Sequence, residues 1–265
     1  MEIAMEFKQK TIQEILESET LMVLTAPERY GAYYDNALAC SMFLTHFVKS
    51  IDIDRWVFGS FLSQVKKHHT FSLFSTVRLH KVQAMMNLRQ ALEAGANAAF
   101  AIANPDHAHF VDTDDHGILD PAKSLTGKRY KWLDENYPAG SQAIKGLKDQ
   151  INQVTAHSNL VTTHNNFESD AEQARFSAPF FDIEDKYHVE TDLWMIARAA
   201  IILLDIFWGI NKNCNSVKFV DDFTTAFLQL QADNQRLHAI STQGDRYKRA
   251  MEIENGRSQK KQASK

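Results

Sequence analysis

The sequence predicts a mainly α-helical protein, a single multi-helix bundle with one minor β-hairpin or strand near residues 174–184. Glycine and proline together account for only 15 of 265 residues, too few for the many turns of a β-sandwich or barrel. Proline is confined to Pro27 and the middle of the chain, which leaves room for long helices on both sides. Apolar residues there recur at helical spacing, and they make up 44% of the chain, enough for a substantial core.

Four helices are predicted before Pro105. They cover residues 2–18, 27–50, 54–69 and 71–103. Pro27 starts the second of these because proline fits the first turn of a helix. Asp54 is predicted to cap the third helix, which reaches the His68-His69 pair. The fourth ends at Asn104-Pro105, since proline cannot continue a helix.

The middle of the chain is less regular than either end. It contains a predicted loop at 105–127, short helices at 127–135 and 139–156, and a polar stretch at 157–188 that includes the predicted strand. Two strong helices follow at 189–210 and 216–240. Residues 1–243 are predicted to be one domain. Residues 244–265 carry seven Lys/Arg against three Asp/Glu and are predicted to be a flexible basic tail.

Charge and cysteine content restrict the class of protein. The 29 basic and 33 acidic residues nearly balance, so the composition does not require a nucleic-acid partner. Cys40 and Cys214 are far apart, which is typical of a reducing compartment, and the charged N-terminus does not resemble a signal peptide. We therefore predict a cytoplasmic location and no cofactor.

The segment 193–210 is nearly apolar and long enough to be tested as a membrane span. It carries Arg198 and Asp205, and each of these charges costs roughly 2.5–3.5 kcal/mol at the centre of a bilayer. A buried helix in a soluble bundle is the favoured interpretation, so no membrane is predicted.

Two pairs of charged residues lie on apolar helix faces. Arg89 and Glu93, one turn apart, share a face with the apolar stripe Val82, Met85, Met86, Leu92, Ala96 and Phe100. Arg198 and Asp205 lie two turns apart on the later apolar helix. Buried charges must be paired or line a cavity, so these four residues are predicted to form one buried polar network. Two alternatives stay open for Arg89 and Glu93, a structural ion pair and a polar active-site pocket.

Two further segments contain candidate functional residues. His157 follows the helix at 139–156, where a histidine can cap the helix or act as a general acid or base. The stretch 106–120 holds three histidines and five aspartates. Within it, His107, His109 and Asp112 have side chains that can ligate zinc or a harder divalent ion. A solvated acidic loop is the alternative.

The long helix LRQALEAGANAAFAIANP, with its inward Arg89, and the later helix ending in INQVTAHSN resemble the HEPN-like helical bundles of bacterial and archaeal defence and toxin systems. The resemblance covers about residues 70–160 and the helix at 189–210. It implies an RNA-cleaving groove across a homodimer, lined by an Arg-x4–6-His motif. No arginine stands four to six residues before His157, and Asn152 occupies the nearest position. The motif is therefore incomplete unless Arg89 packs nearby.

From these observations we expect a helical bundle that acts by association with itself or another protein, including as a HEPN-like accessory or toxin and defence component. The alternative is a metal-independent ribonuclease that uses His157 with Arg89 or Asn152, with Glu93 beside them and RNA as the partner. A third interpretation is a metal-dependent hydrolase at the 106–120 loop.

The last helix carries an apolar stripe that bears on the oligomeric state. The stripe consists of Phe219, Phe223, Phe227, Leu230 and Leu237. Such a stripe either docks on the parent bundle or forms a symmetric helix-to-helix dimer. The sequence leaves both alternatives open.

Overall fold

A computed structural model describes residues 10–113, 116–154, 167–170, 175–249 and 251–252. Within these residues it confirms the mainly α-helical class. The helices in chain order are α1 (Ile12–Leu24), α2 (Ala26–His46), α3 (Trp56–Val77), α4 (Lys81–Ala103), α5 (Leu125–Asn136), α6 (Pro138–Val154), α7 (Lys186–Cys214) and α8 (Phe223–Gln243). The short strands are β1 (Val48–Ile51), β2 (Val111–Thr113), β3 (Leu119–Pro121), β4 (Glu168–Asp170), β5 (Arg175–Ser177) and β6 (Val217–Phe219).

The first helix begins later than predicted, at a capping box. The Thr11 hydroxyl accepts a hydrogen bond from the backbone N–H of Glu14, and the Glu14 carboxylate accepts one from the backbone N–H of Thr11. This exchange satisfies two backbone donors that a helix start leaves unpaired. The predicted helix at 2–18 therefore becomes α1, and residues 1–9 lie outside the described part of the chain.

The boundary between the third and fourth helices was predicted in the wrong place. The helix α3 continues through His69 to Val77, and the chain turns at residues 78–80, where Leu79 has a φ of 60°. Asp182 supports this turn from another part of the chain. Its carboxylate accepts a hydrogen bond from the Lys81 backbone N–H at 2.6 Å, and its own N–H donates to the Leu79 carbonyl at 2.9 Å. The turn lacks glycine and proline, so the sequence pattern gave no signal of it.

Two predicted helices are too long because their ends form a small sheet. The second helix stops at His46, and the last starts at Phe223 rather than at residue 216. The residues beyond these ends form β1 and β6, which pair antiparallel. Inside α2, Gly31 interrupts the helix with a φ of 49° and a ψ of −130°, a conformation that glycine adopts without steric cost.

The predicted minor β element is present. The strand β5 lies within residues 174–184 and pairs antiparallel with β4, just upstream. A second hairpin, which was not predicted, joins β2 and β3 inside the expected loop at 105–127. Strands of three residues are too short to show a side-chain alternation in the sequence.

The helix α7 lies at the centre of the bundle and packs against α2, α3, α4, α6 and α8. Among the described residues it is the one helix that is long and apolar enough to cross a membrane, and most of its apolar window is buried inside the bundle. The prediction that residues 193–210 form a buried helix of the bundle agrees with this packing. At its closest approach to α4, the side chain of Leu203 lies directly over Gly95.

The apolar stripe of the last helix docks on the parent bundle. Phe223 and Phe227 are buried, with ring centroids 5.5 Å from Phe43 and 6.3 Å from Trp208, respectively. Leu237 is also buried. Of the two alternatives for this stripe, intramolecular packing is the one that the structure contains.

The first residues of the predicted basic tail are helical and docked. Residues 245–249 are helical, and the Arg246 guanidinium makes a two-pronged ion pair with the Asp185 carboxylate at 2.8 and 2.6 Å. Asp185 is the N-cap of α7. The described part of the segment after Gly244 is therefore held against the start of the central helix.

Candidate functional site

Three of the predicted site residues meet where α4 packs against the C-terminal part of α6. Arg89 Nε lies 3.3 Å from Glu93 Oε1 on the same helix. Arg89 Nη1 donates a hydrogen bond to Asn152 Oδ1 at 2.8 Å. Folding thus brings Arg89 to Asn152, which lies five residues before His157 in the sequence.

Residues that the sequence analysis did not single out complete this group. Lys148 Nζ lies 2.9 Å from Glu93 Oε1 and 3.3 Å from the Tyr130 hydroxyl. Arg129, on α5, donates from Nη1 to the Asn97 side-chain oxygen and to the Glu93 carbonyl. We call the whole set the cationic cluster: Arg89, Glu93, Asn97, Arg129, Tyr130, Lys148 and Asn152.

The cationic cluster holds more positive than negative charge. Arg89 and Lys148 share the carboxylate of Glu93, and Arg129 adds a third positive charge that bonds to the main-chain carbonyl of Glu93. Burial raises the pKa of that carboxyl, but Lys148, followed by Arg89, outweighs burial and holds the pKa below its usual value. Glu93 is therefore ionised at neutral pH, and its one negative charge leaves a surplus of positive charge.

Arg129 is the most deeply buried of these cations. It is only 4% exposed, and its Nε has no hydrogen-bond partner among the residues that the structure describes. Burial lowers the pKa of its guanidinium, although an arginine remains charged at any physiological pH. The guanidinium lies over the Tyr130 ring, 4.5 Å from the centroid, which provides some compensation for lost hydration.

Solvent reaches the cluster at Arg89 and at Glu93, whose side chain is 32% exposed. The Arg89 side chain is 39% exposed, whereas that of Lys148 is 16% exposed. A neighbouring lysine, Lys145, is neutralised by Asp134 at 2.7 Å and adds no free charge. The accessible end of the cluster is therefore an arginine whose position is fixed by two neighbours, Glu93 and Asn152.

The predicted four-residue network does not form. Arg198 lies over the Trp194 ring, and Asp205 accepts a hydrogen bond from the Tyr137 hydroxyl at 2.7 Å. Leu203 is the residue of α7 that faces α4 at Gly95. At 100° per residue, Arg198 and Asp205 lie about 140° and 160° around the helix from Leu203, so neither lies on the face of α7 that packs on Gly95.

The remaining predicted residues lie elsewhere. His157 falls outside the described residues. His107 lies near Asp106 and the Trp56 ring, His109 contacts the Phe100 ring, and Asp112 accepts a hydrogen bond from the backbone N–H of Lys123. The described residues contain no group of three His, Cys, Asp or Glu placed to hold a metal ion, and residues 114–115 of this loop are not among them.

The predicted apolar stripe of α4 is buried at four of its six positions, and a fifth, Val82, is half-buried. Met85, Leu92, Ala96 and Phe100 are buried, but Met86 is 57% exposed. Lys148 could have been found from the sequence, because it precedes Asn152 by one helical turn and shares its face. Arg129 has no comparable signal in the polar stretch TGKRYK.

No protein-family model, curated protein or solved structure matches this chain. The chemistry of the cluster therefore has to be argued from its own residues. An accessible arginine, with fixed neighbours and surplus positive charge behind it, is suited to an anionic oxygen ligand such as a phosphate.

Proposed function

We propose that this chain is a cytoplasmic, HEPN-like RNA-binding protein that cleaves RNA without a metal ion. The observation that carries the proposal is the 2.8 Å hydrogen bond from Arg89 to Asn152. Asn152 stands where the resembled family has its motif arginine, and Arg89 reaches the same point from α4. This contact supports Arg89 as the replacement for the arginine that the local sequence lacks.

The charge of the cationic cluster supports a phosphodiester as the ligand. Each phosphate of an RNA backbone carries one negative charge, and arginine binds it in a planar, two-pronged geometry. Lys148 and Arg129 add positive potential behind Arg89, and Glu93 neutralises only part of it. Binding a phosphate would offset the surplus charge of the cluster.

The proposed reaction is an internal transesterification. His157, assigned from its place in the sequence, removes the proton from a ribose 2′-hydroxyl. The 2′-oxygen forms a bond to phosphorus, the bond from phosphorus to the 5′-oxygen breaks, and that oxygen takes up a proton. The products are a 2′,3′-cyclic phosphate and a 5′-hydroxyl. Arg89 stabilises the negative charge that develops on the phosphoryl oxygens.

The packing of the last helix bears on the other predicted function, action by association. The stripe that was the candidate dimer surface is buried against α2 and α7. A homodimer remains a prediction, but it would need another surface. The cationic cluster therefore carries the functional proposal in preference to the stripe.

The test is cleavage of a mixed RNA by the purified full chain, with and without EDTA. We expect cleavage that persists in EDTA and yields cyclic phosphate ends. His157→Ala and Arg89→Gln should each abolish or strongly reduce it. Arg236→Gln is the matched control, because Arg236 is an exposed arginine on α8 whose ion pair in the described part of the chain is with Asp233 on the same helix.

RNA binding provides a second readout that does not depend on His157. Loss of one phosphate contact lowers the slope of log affinity against log salt by about 1. We expect this change in Arg89→Gln and not in Arg236→Gln. Absence of cleavage in the wild type, together with RNA binding that does not respond to Arg89→Gln, would refute the proposal.

A further inference from the structure

A second candidate site lies along α7 and α8 and reaches Met85 on α4 and Ile151 on α6, which adjoin the cationic cluster in sequence. Two adjoining cavities there have volumes of about 430 and 360 Å³ and share Trp194, Arg198 and His238 in their walls. We call them together the α7–α8 cleft. Each cavity is within the size range of small-molecule sites, and no residue of the cationic cluster lines either one.

The shared wall is an aromatic surface held in a fixed orientation. Trp194 Nε1 donates a hydrogen bond to the Asn234 carbonyl at 3.0 Å, and the Asn234 side chain accepts one from Asn36. The His238 ring stacks on Trp194, with centroids 4.6 Å apart and planes at 21°. His238 thus covers one face of Trp194, and a flat ring would extend this preformed stack, which lowers the entropy cost of binding.

Arg198 supplies an uncompensated positive charge at the same place. Its guanidinium carbon lies 5.4 Å from the Trp194 ring centroid. In the described part of the chain, no ion pair with a carboxylate neutralises it, whereas Lys81, at the far end of the cleft, is paired with Asp192 at 3.2 Å. An anionic group at Arg198 would thus bind a free cation without first breaking an existing ion pair.

The rest of the lining suits an organic molecule of modest size. Met85 and Ile151 contribute apolar surface to the larger cavity, and Ile201 and Ile202 contribute it to the smaller one. Apolar walls with a small number of fixed polar groups are the usual composition of a ligand pocket. Arg198 is the polar group that we assign to the anion. The larger cavity also presents Gln150, His188, Thr191, Tyr247 and the Lys81–Asp192 ion pair, and the smaller one presents Gln231 and Gln235.

We propose that the α7–α8 cleft binds a planar aromatic small molecule that carries one anionic group. The aromatic ring stacks on Trp194 and His238, and the anion pairs with Arg198. The proposal is independent of RNA binding, because the cationic cluster contributes nothing to this cleft.

Two fluorescent probes with the same aromatic body test the proposal. One is 1-anilinonaphthalene-8-sulfonate, which carries the anion, and the other is N-phenyl-1-naphthylamine, which does not. We expect the full chain to bind the sulfonate at one site and more tightly than the amine. Arg198→Gln should weaken sulfonate binding by about tenfold or more, the loss expected for a charge-assisted contact, and leave amine binding unchanged.

Two further variants complete the design. Trp194→Ala removes the stacking surface and should weaken binding of both probes. Lys212→Gln is the matched control, because Lys212 is also a cation over a tryptophan of α7, 3.5 Å from the Trp208 ring centroid, but lies outside the cleft. It should leave both affinities unchanged. Circular dichroism confirms that each variant is folded before titration.

The proposal is overturned by equal affinity of the wild type for the two probes, or by sulfonate binding that survives Arg198→Gln. A loss of sulfonate binding in Lys212→Gln as large as that in Arg198→Gln would also overturn it, because the probe would then respond to surface charge in general. If Arg198→Gln does not fold, Arg198→Lys keeps the charge at a different reach, and unchanged sulfonate affinity in that variant argues against the planar pairing that we propose.

Discussion

His69 should make the stability of the protein fall in mild acid. Its ring is fully buried in the middle of α3, close to Ser41 Oγ at 3.2 Å and the Ile196 carbonyl at 3.0 Å. The carbonyl can only accept, so Nε2 carries the proton and Nδ1 accepts from the serine hydroxyl. A neutral imidazole satisfies both contacts. A charged imidazolium would carry a second proton at Nδ1, and no described carboxylate lies beside it to neutralise the buried charge.

The size of the effect follows from the two protonation equilibria. Burial lowers the pKa of His69 to about 4, against 6.5 when it is unperturbed. The unfolded chain therefore binds the proton first as the pH falls, and each pH unit between these values costs the native state about 1.4 kcal/mol. The stabilisation is fully present above pH 6.5 and is lost progressively toward pH 4. The total loss is about 3 kcal/mol.

The measurement is urea denaturation of the wild type and of His69→Gln from pH 7 to pH 4.5. Glutamine keeps a donor for the Ile196 carbonyl but does not titrate. We expect it to cost about 1–3 kcal/mol at pH 7, where it fits less well than the imidazole. By pH 4.5 the stability difference between wild type and variant should change by about 2–3 kcal/mol in favour of the variant.

Burial raises the pKa of Asp192, so this carboxyl group stabilises the native state as the pH falls. Because such groups are present in both proteins, their contribution cancels in the stability difference between wild type and His69→Gln. His46→Gln is the control, since His46 is exposed at the end of α2, and its difference from wild type should stay constant. Parallel stability curves for His69→Gln and wild type across the whole range would show that the buried imidazole does not control the acid response.

Two further predictions concern packing. Gly95→Ala should destabilise the protein by about 1–3 kcal/mol in urea denaturation, because the new methyl group would overlap the buried Leu203 side chain. Gly146→Ala is the control. It has open space where the methyl group would lie, so it should be neutral or slightly stabilising. The double variant Phe223→Asp, Phe227→Asp should be insoluble or unfolded, since both rings are buried, whereas Leu228→Asp, at a side chain 55% exposed, should stay soluble. A folded, soluble double variant, or equal effects of the two glycine substitutions, would contradict these packing assignments.

The positions of the helices could be predicted from the sequence because proline placement and apolar periodicity are local signals. The ends could not, because contacts distant in sequence determine them. The turn after α3 depends on Asp182, which lies 101 residues from Lys81 along the chain. The ends of α2 and α8 depend on pairing between β1 and β6. No local pattern records such contacts.

The same distinction separates the correct and incorrect predictions about polar residues. Arg89 and Glu93 were recognisable as a pair because they lie one turn apart on a single helix. Their partner Lys148 comes from another helix and depends on how α4 packs on α6. The expected link to Arg198 and Asp205 failed because helical periodicity gives the relative direction of two residues on one helix but not the direction of the neighbouring helix.

The packing of small residues explains why these polar groups end up on separate surfaces. Gly95 lets α4 approach α7 closely at Leu203, and that contact places the apolar face of α7 against α4. Arg198 lies over Trp194 of the same helix, and His238 of α8 stacks on that tryptophan. Arg89 is left facing α6, where it meets Asn152. The charged residues of α4 and α7 are therefore divided between two sites that share no lining residue.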